Sequence, residues 1–268
     1  MTGTRAVRSP RAAARDDPPP TVVVRTELAR LRYGFPLWYT LAAPVVLVLP
    51  LGAVAAGSPE GQAGLLWETW RSVVLMFWGV LAPMGSALYA GLAVRQDQDA
   101  RRLLYGYAFP RHRLLLGRFA ALALLGMAQA LLLGALLAGL GVLLGAPGGA
   151  AAAVAAGVVL TWLAGLGALA LCLLVAEMWG FTATMCVGIA GMMFGALLAD
   201  KSVWWAIPLA WPMRVVVPIA DIHASGVPLP PGDPLSDAGV VPVALAMSFV
   251  LAAVLLGTAS RHVNRKEL

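Results

Sequence analysis

LLLGRFAALALLGMAQALLLGALLAGLGVLL, Leu114 to Leu144, carries a single charged side chain, Arg118, and that near its beginning. An apolar run longer than about 18 residues is long enough to cross the ~30 Å hydrocarbon core of a bilayer as a helix. A helix is also the form in which a lone segment satisfies all its own backbone amides in lipid. Pro147-Gly148-Gly149 then ends the run. Outward from it lie five comparable stretches: about Pro36 to Ala56, Arg71 to Val94, Ala150 to Ala176, Phe181 to Ala199 and Val240 to Ala259. Pro44 and Pro50 should bend the first. Glu177, Trp179 and Gly180 mark a tight join between the fourth and fifth spans in chain order. The fold class expected is therefore all-α: a polytopic membrane protein of six transmembrane helices with an N-terminal interfacial helix.

Composition supports lipid as the natural solvent. The 268 residues are 60% hydrophobic and 12% charged, against about 25% charged in ordinary soluble domains. The length suits six spans and one or two modest loops, and leaves no room for an ATPase domain as well. Arg greatly outnumbers Lys, a bias read as genomic and not chemical. A net charge of +6 would hint at nucleic acid in a soluble protein, but its placement along the chain gives a better account. Cys172 and Cys186 both fall in apolar runs and read as buried, unpaired thiols.

Basic residues cluster before the first span (Arg5, Arg8, Arg11, Arg15, Arg25, Arg30, Arg32), between the second and third (Arg95, Arg101, Arg102, Arg111, Arg113, Arg118) and after the sixth (Arg261, Arg265, Lys266). Only Arg71, Lys201 and Arg214 fall on the other side. By the positive-inside rule both termini are cytoplasmic. Residues 1–20 read as a disordered cytoplasmic tail, since no apolar core of a signal peptide follows directly. Residues 21–35 read as an amphipathic interfacial helix, with Val24, Leu28 and Leu31 on one stripe and Arg25 and Arg32 off it. A plain helical extension into the first span is the alternative. The six-span domain covers 36–259, with a cytoplasmic loop at 95–113 and an outer loop at 200–238, and 260–268 forms a cytoplasmic tail.

Catalytic patterns are scarce. GALLADKS, Gly195 to Ser202, matches a phosphate-binding loop except that Asp200 replaces its second Gly, and a carboxylate there would repel the phosphates. It also lies at the outer end of a span, away from ATP. No GxSxG, HExxH or CxxC occurs, and no metal or catalytic residue is assigned. His112, His223 and His262 lie in loops or tails. No charge falls near the middle of a span, which disfavours a proton-coupled carrier. Glu177, at a predicted edge, reads as a solvated or helix-end residue that keeps that carrier reading open.

VRQDQDARRLLYGYAFPRHRLLLGRFA, Val94 to Ala120, is the most informative loop. Asp97, Asp99, Arg101 and Arg102 open it; Leu103, Leu104, Tyr105, Tyr107 and Phe109 follow, then Pro110 and three basic residues. A solvated loop has no use for that apolar-aromatic run. It reads as a short helix docking into a groove of a cytoplasmic partner, or as an interfacial helix touching lipid headgroups.

In layout and in the order Asp97, Asp99, Leu103-Leu104, Pro110-Arg111-His112-Arg113 and Arg118, the chain resembles a permease subunit of the ABC-2 type transporter superfamily. Where such permeases often carry Glu ahead of the Leu pair, this chain has Asp. Within the superfamily it is most similar to the lantibiotic-immunity permeases. The resemblance implies a bacterial cytoplasmic membrane protein that is not itself an enzyme. ATP and Mg would be bound by a cytosolic ATPase dimer, and a second permease, identical or homologous, would complete the pathway. The residues from Asp97 to Pro110 would couple to the ATPase, and no nucleic acid is involved. Small residues on the third and fourth spans (Gly126, Gly134, Gly139, Gly165, Gly167) would permit close packing, or reflect composition alone. In the outer segment Trp204, Trp205 and Trp211 suit a membrane interface, while Pro208, Pro212 and Pro218 preclude one continuous helix. These tryptophans are the outer-mouth candidates, guiding an amphiphilic substrate such as an antimicrobial peptide, or simple aromatic anchors. Export of a hydrophobic drug or a lipid-linked molecule stays open, as does a non-transporting sensor or anchor.

A reporter fused at Tyr105 is expected to read as cytoplasmic; an external reading would remove any role for a cytosolic motor at that loop.

Overall fold

The computed structural model describes residues 19–57, 63–97 and 111–265, and among them the chain is helical, without strands. The α-helices are α1 (Pro20–Leu31), α2 (Phe35–Ala56), α3 (Ala63–Asp97), α4 (Arg111–Leu143), α5 (Ala150–Ala164), α6 (Leu166–Ala199), α7 (Trp211–Ala220) and α8 (Val240–Arg265). Among the described residues five helical runs are long and apolar enough to cross a membrane: Phe35–Val54, Leu66–Gln96, His112–Leu143, Ala150–Ala199 and Val240–Arg261. The chain is thus a polytopic helical membrane protein in class.

The run Ala150–Ala199 holds 50 residues, which as a straight helix would reach about 75 Å, more than twice the bilayer core. It does not run straight. Gly165, though its φ is ordinary at −77°, separates α5 from α6, and inside α6 Gly180 has φ 83° and ψ −169°. That region of conformational space is essentially closed to side-chain-bearing residues. Contacts along α3 reveal the path. Gly157 packs on Leu75, Trp78 Nε1 donates to the Val158 carbonyl at 3.3 Å, and Cys172 and Leu173 share a buried cluster with Ala90 and Val94. Beyond Gly180 the order inverts: Phe181 and Met185 lie on Gly91, Gly188 on Ala87 and Gly191 on Pro83. The first arm therefore follows α3 in the same direction and the second returns against it. Gly180 is the point of reversal.

Two buried clusters fix the ends of the bundle. Leu31, Val94, Leu115, Ala176 and Ala259 meet at one, beside the described arginines of α1, the α3–α4 stems and α8. Trp67, Leu137, Val154, Ala199, Met213 and Ile222 meet at the other. Gly126 and Gly134 bring α4 against Trp162 and Val158 of α5, and the Gly167 amide donates to Ser248 Oγ of α8 at 2.8 Å. Gly139 faces open space instead. Cys172 is buried but Cys186 is exposed, correcting the expectation that both thiols are interior. Cys186 lies on the returning arm, whose outward residues Ile189, Met193, Phe194 and Leu197 are also exposed.

Because no neighbouring atom lies within 4 Å of a Cβ built on Gly180, a Gly180→Ala change probes backbone strain alone. It is expected to cost about 1–3 kcal/mol and to lower the thermal midpoint in detergent, whereas Gly139→Ala, inside α4 and facing open space, holds or slightly raises it. Equal midpoints for the two variants would contradict a reversal that depends on glycine.

Candidate functional site

α1 is short, and what it buries is unusual. Its inward residues are Val23, Glu27 and Leu31, spaced by four so that they share one face. Val24 and Leu28, read from the sequence as the apolar stripe with Leu31, lie beside them partly buried. α4 accommodates α1 at Gly117, where the Val23 side chain occupies the space a Cβ would need. One residue further along α4 is Arg118, only 7% exposed. Its Nη1 donates to Glu177 Oε1 at 2.7 Å, and its Nε lies 3.7 Å from Glu27 Oε2. Arg30 Nη1 reaches the other Glu27 oxygen at 3.2 Å.

One guanidinium thus joins the N-terminal helix, the start of α4 and the turn just before Gly180. Glu177 is 5% exposed, so its reading as a solvated residue is corrected, although it does stand in the last turn of its arm, before Gly180. The reason is geometric. Helix α6 continues past the predicted edge of the span, and Arg118 lies deep enough on α4 to meet the carboxylate. Isolated, any of these charges would cost several kcal/mol to bury; placed together they compensate one another. Burial still pushes the Glu27 carboxyl above its ordinary range, with Arg118 opposing that shift.

The stems of the loop between α3 and α4 both end on this assembly. Arg95 stacks over the Phe181 ring, 5.3 Å from its centroid, and Gln96 covers Gly34. The other stem enters through Leu115 and Arg118. Of the sequence-predicted coupling residues, Asp97 is the last residue of α3; Asp99, Arg101, Arg102, Leu103, Leu104, Tyr105, Tyr107, Phe109 and Pro110 lie outside the described residues.

At the opposite end Trp204 and Trp205 fall in a 3₁₀ turn and Trp211 opens α7. Trp211 is buried and donates Nε1–H to the Trp205 carbonyl at 3.1 Å, while Trp205 itself is exposed. Pro208 starts a second 3₁₀ turn. Pro212 and Pro218, however, are both inside α7. Pro212 fits the first turn because no intrahelical bond needs its missing N–H. Ten residues of helix reach only about 15 Å, half the bilayer core, yet nearly every α7 side chain is buried. Its Arg214 donates to the Leu235 carbonyl at 3.1 Å and lies 5.9 Å from the Trp204 ring centroid. Alongside, a pocket of about 530 Å³ is bordered by Leu197, Asp200, Lys201, His223 and Leu235.

Between the two ends a small cavity of about 60 Å³ touches Tyr39, Trp78, Tyr89, Gln129, Thr161 and Trp162. A polar thread crosses it: Thr40 Oγ1 and Tyr89 Oη are 2.7 Å apart, and Tyr89 donates to Gln129 Oε1 at 2.8 Å. Among the described residues no group of three or more His, Cys, Asp or Glu is placed to hold a metal ion. No family model matches the chain, and no curated protein or solved structure matches it either.

Sequence reading missed Glu27 and the depth of Glu177, although each leaves a trace. Glu27 interrupts an otherwise apolar four-residue spacing, and Glu177 stands alone in a long uncharged stretch.

Arg118→Met leaves two buried carboxylates without their shared cation and is expected to cost about 3–5 kcal/mol. A triple variant that also carries Glu27→Leu and Glu177→Leu should regain most of that loss. Thermal unfolding in detergent checks this, and a triple variant no more stable than the single one would show that the charges do not compensate each other.

Proposed function

We infer that the chain is the transmembrane permease subunit of an ATP-driven exporter of the ABC-2 type, crossing the bacterial cytoplasmic membrane six times with both termini in the cytoplasm. In this reading the two arms of Ala150–Ala199 count as separate spans, which makes the crossing number even and places every Arg-rich segment on one side. The observation that carries the reading is the anchorage of the α3–α4 loop. In sequence the apolar-aromatic segment Leu103 to Phe109 lies between two stems that are each fastened to buried structure. A docking element needs such stems, because a push on a loose loop would dissipate in the loop itself.

A cytosolic ATPase dimer binds that loop, and a second permease, identical or homologous, forms the other wall of the pathway. Closure of the ATPase pair on ATP displaces the loop, and rigid helices carry the displacement into the spans. The outer pocket, with charges from Asp200 and Lys201 beside apolar Leu197 and Leu235, suits an amphiphilic substrate of the antimicrobial-peptide kind. Exposed Trp205 at the outer end supports this reading, as such amphipathic rings prefer the headgroup level; Trp211 is buried in the bundle and does not.

Replacing Leu103, Leu104 and Tyr105 together by Asp should abolish co-purification of the ATPase while membrane insertion proceeds normally. Undiminished co-purification would end the docking claim.

A further inference from the structure

The cavity between the two ends of the bundle is apolar on most sides and polar in one corner. Its walls come from α2, α3, α4, α5 and the start of α6, and no charged residue is among them. Most polar groups along it are already committed. Trp78 Nε1 donates to the Val158 carbonyl at 3.3 Å and Trp162 Nε1 to the Ala123 carbonyl at 3.2 Å. The Ser86 and Thr161 hydroxyls turn back onto carbonyls of their own helices, at 2.9 Å and 2.7 Å. What these residues leave to the cavity is ring and aliphatic surface.

Gln129 is the exception. It is 3% exposed, it lines the cavity, and its Oε1 accepts the Tyr89 hydroxyl at 2.8 Å. Its Nε2 carries two N–H donors, with the Tyr39 hydroxyl beside it as an acceptor for one. Exchanging the amide oxygen and nitrogen puts one N–H on Tyr89 instead and leaves the other over. In either orientation one buried N–H of Gln129 has no acceptor among the described residues, a costly state unless an occupant supplies one. The cavity's 60 Å³ is several times the 10–15 Å³ or so that one water needs. Water serves it badly, because a bound water wants two to four polar partners and only the Gln129 corner offers any. Tyr39, Ala43 and Leu47, one face of α2, are half-buried at its rim. The outer side chains of the same helix, Trp38, Val46 and Leu49, are exposed, as on a helix that faces lipid.

We propose that this cavity is a binding site for a small neutral carbonyl compound, an aryl ketone being the type, entered from the lipid past α2. The carbonyl oxygen accepts the spare N–H of Gln129 without needing a proton of its own to place. Its ring lies among the Trp78, Tyr89 and Trp162 side chains, where flat apolar surface is what the walls present. A carboxylate or an ammonium is excluded, since its charge would be buried with no counter-charge.

The test uses the full chain in lipid nanodiscs without nucleotide or partner, so its outcome is independent of the exporter reading. The probe is 4-azidoacetophenone, a neutral aryl ketone that labels its surroundings on illumination, and mass spectrometry maps the labelled peptides. Labelling is expected at cavity-lining segments of α2, α3 and α4, and acetophenone should compete it away. At equal concentration in the lipid, ethylbenzene, of similar shape but without the carbonyl, should compete about fivefold less well, the scale of one neutral hydrogen bond. Benzoate should not compete. In Gln129→Leu the advantage of acetophenone over ethylbenzene should vanish, which a merely structural role of Gln129 would not bring about. Should that variant fail to fold, Ala43→Leu narrows the rim while keeping every hydrogen-bonding side chain, and should remove the labelling. Labelling spread over lipid-facing positions, labelling that acetophenone does not compete, or labelling of Ala43→Leu at the original level overturns the proposal. An acetophenone preference that persists in Gln129→Leu overturns it too.

Discussion

A charge withdrawn from water must find its counter-charge, and in this protein that demand organises one whole end of the bundle. Arg118, Glu27 and Glu177 come from distant parts of the chain, yet each is almost wholly enclosed. Apolar packing alone would let α1 slide along α4, because hydrophobic contact is non-directional. The ionic contacts remove that freedom and pin the register of α1, α4 and the first arm of the α5–α6 run together. The loop stems inherit this order: one is tied through Arg95 to Phe181, just past the reversal, and the other passes through Arg118 itself.

α3 is the second organising element. Both arms of the long Ala150–Ala199 run lie along it, one parallel and one antiparallel, so a single helix surface must accept neighbours of opposite direction. Small residues make that possible, with Gly91, Ala87 and Pro83 facing the returning arm. At its far end α3 also receives α7, where Gly79 approaches Met213 and Val216 and Ser72 Oγ donates to the Ala220 carbonyl at 2.9 Å. The sharp turn at Gly180 is the backbone condition for all of this. Without access to a positive φ at that residue, the second arm could not return along the same face.

Much of this was legible in sequence because it rests on strong one-dimensional signals. Long apolar runs give helices that suit a bilayer, and the all-helical class follows. Pro147-Gly148-Gly149 and Gly180 punctuate these runs chemically, and the chain turns at both. Other features escaped because their signals are pairwise. Glu27 and Glu177 each look like a surface residue until the partner is known, and nothing in a linear reading brings Arg118 between them. Gly139, which reads either as a packing glycine or as composition alone, faces open space, and the second reading holds. Pro212 and Pro218 read as breakers, but Pro212 falls in the first turn of α7, where a proline costs little, and Pro218 lies inside the helix two residues before its end.

The two ends of the bundle solve the same problem in different ways. Arg214, like Arg118, is a buried arginine, only 4% exposed. Its contacts are a backbone carbonyl and an aromatic face, with Asp200, Asp233 and Asp237 near enough to act through space. Those carboxylates lie on loops and a helix end, and Asp200 is itself engaged by the Ala224 amide at 3.0 Å. Arg118 is instead answered by carboxylates borne on helices. A backbone carbonyl cannot leave its residue, and a ring face is broad and tolerant, so Arg214 is held in one place whatever its neighbours do. A guanidinium between two helix-borne carboxylates is held only as firmly as those helices are held to each other. The end beside Arg214 is therefore built to keep its shape, while at the Arg-rich end the ionic contacts and the helix packing depend on one another.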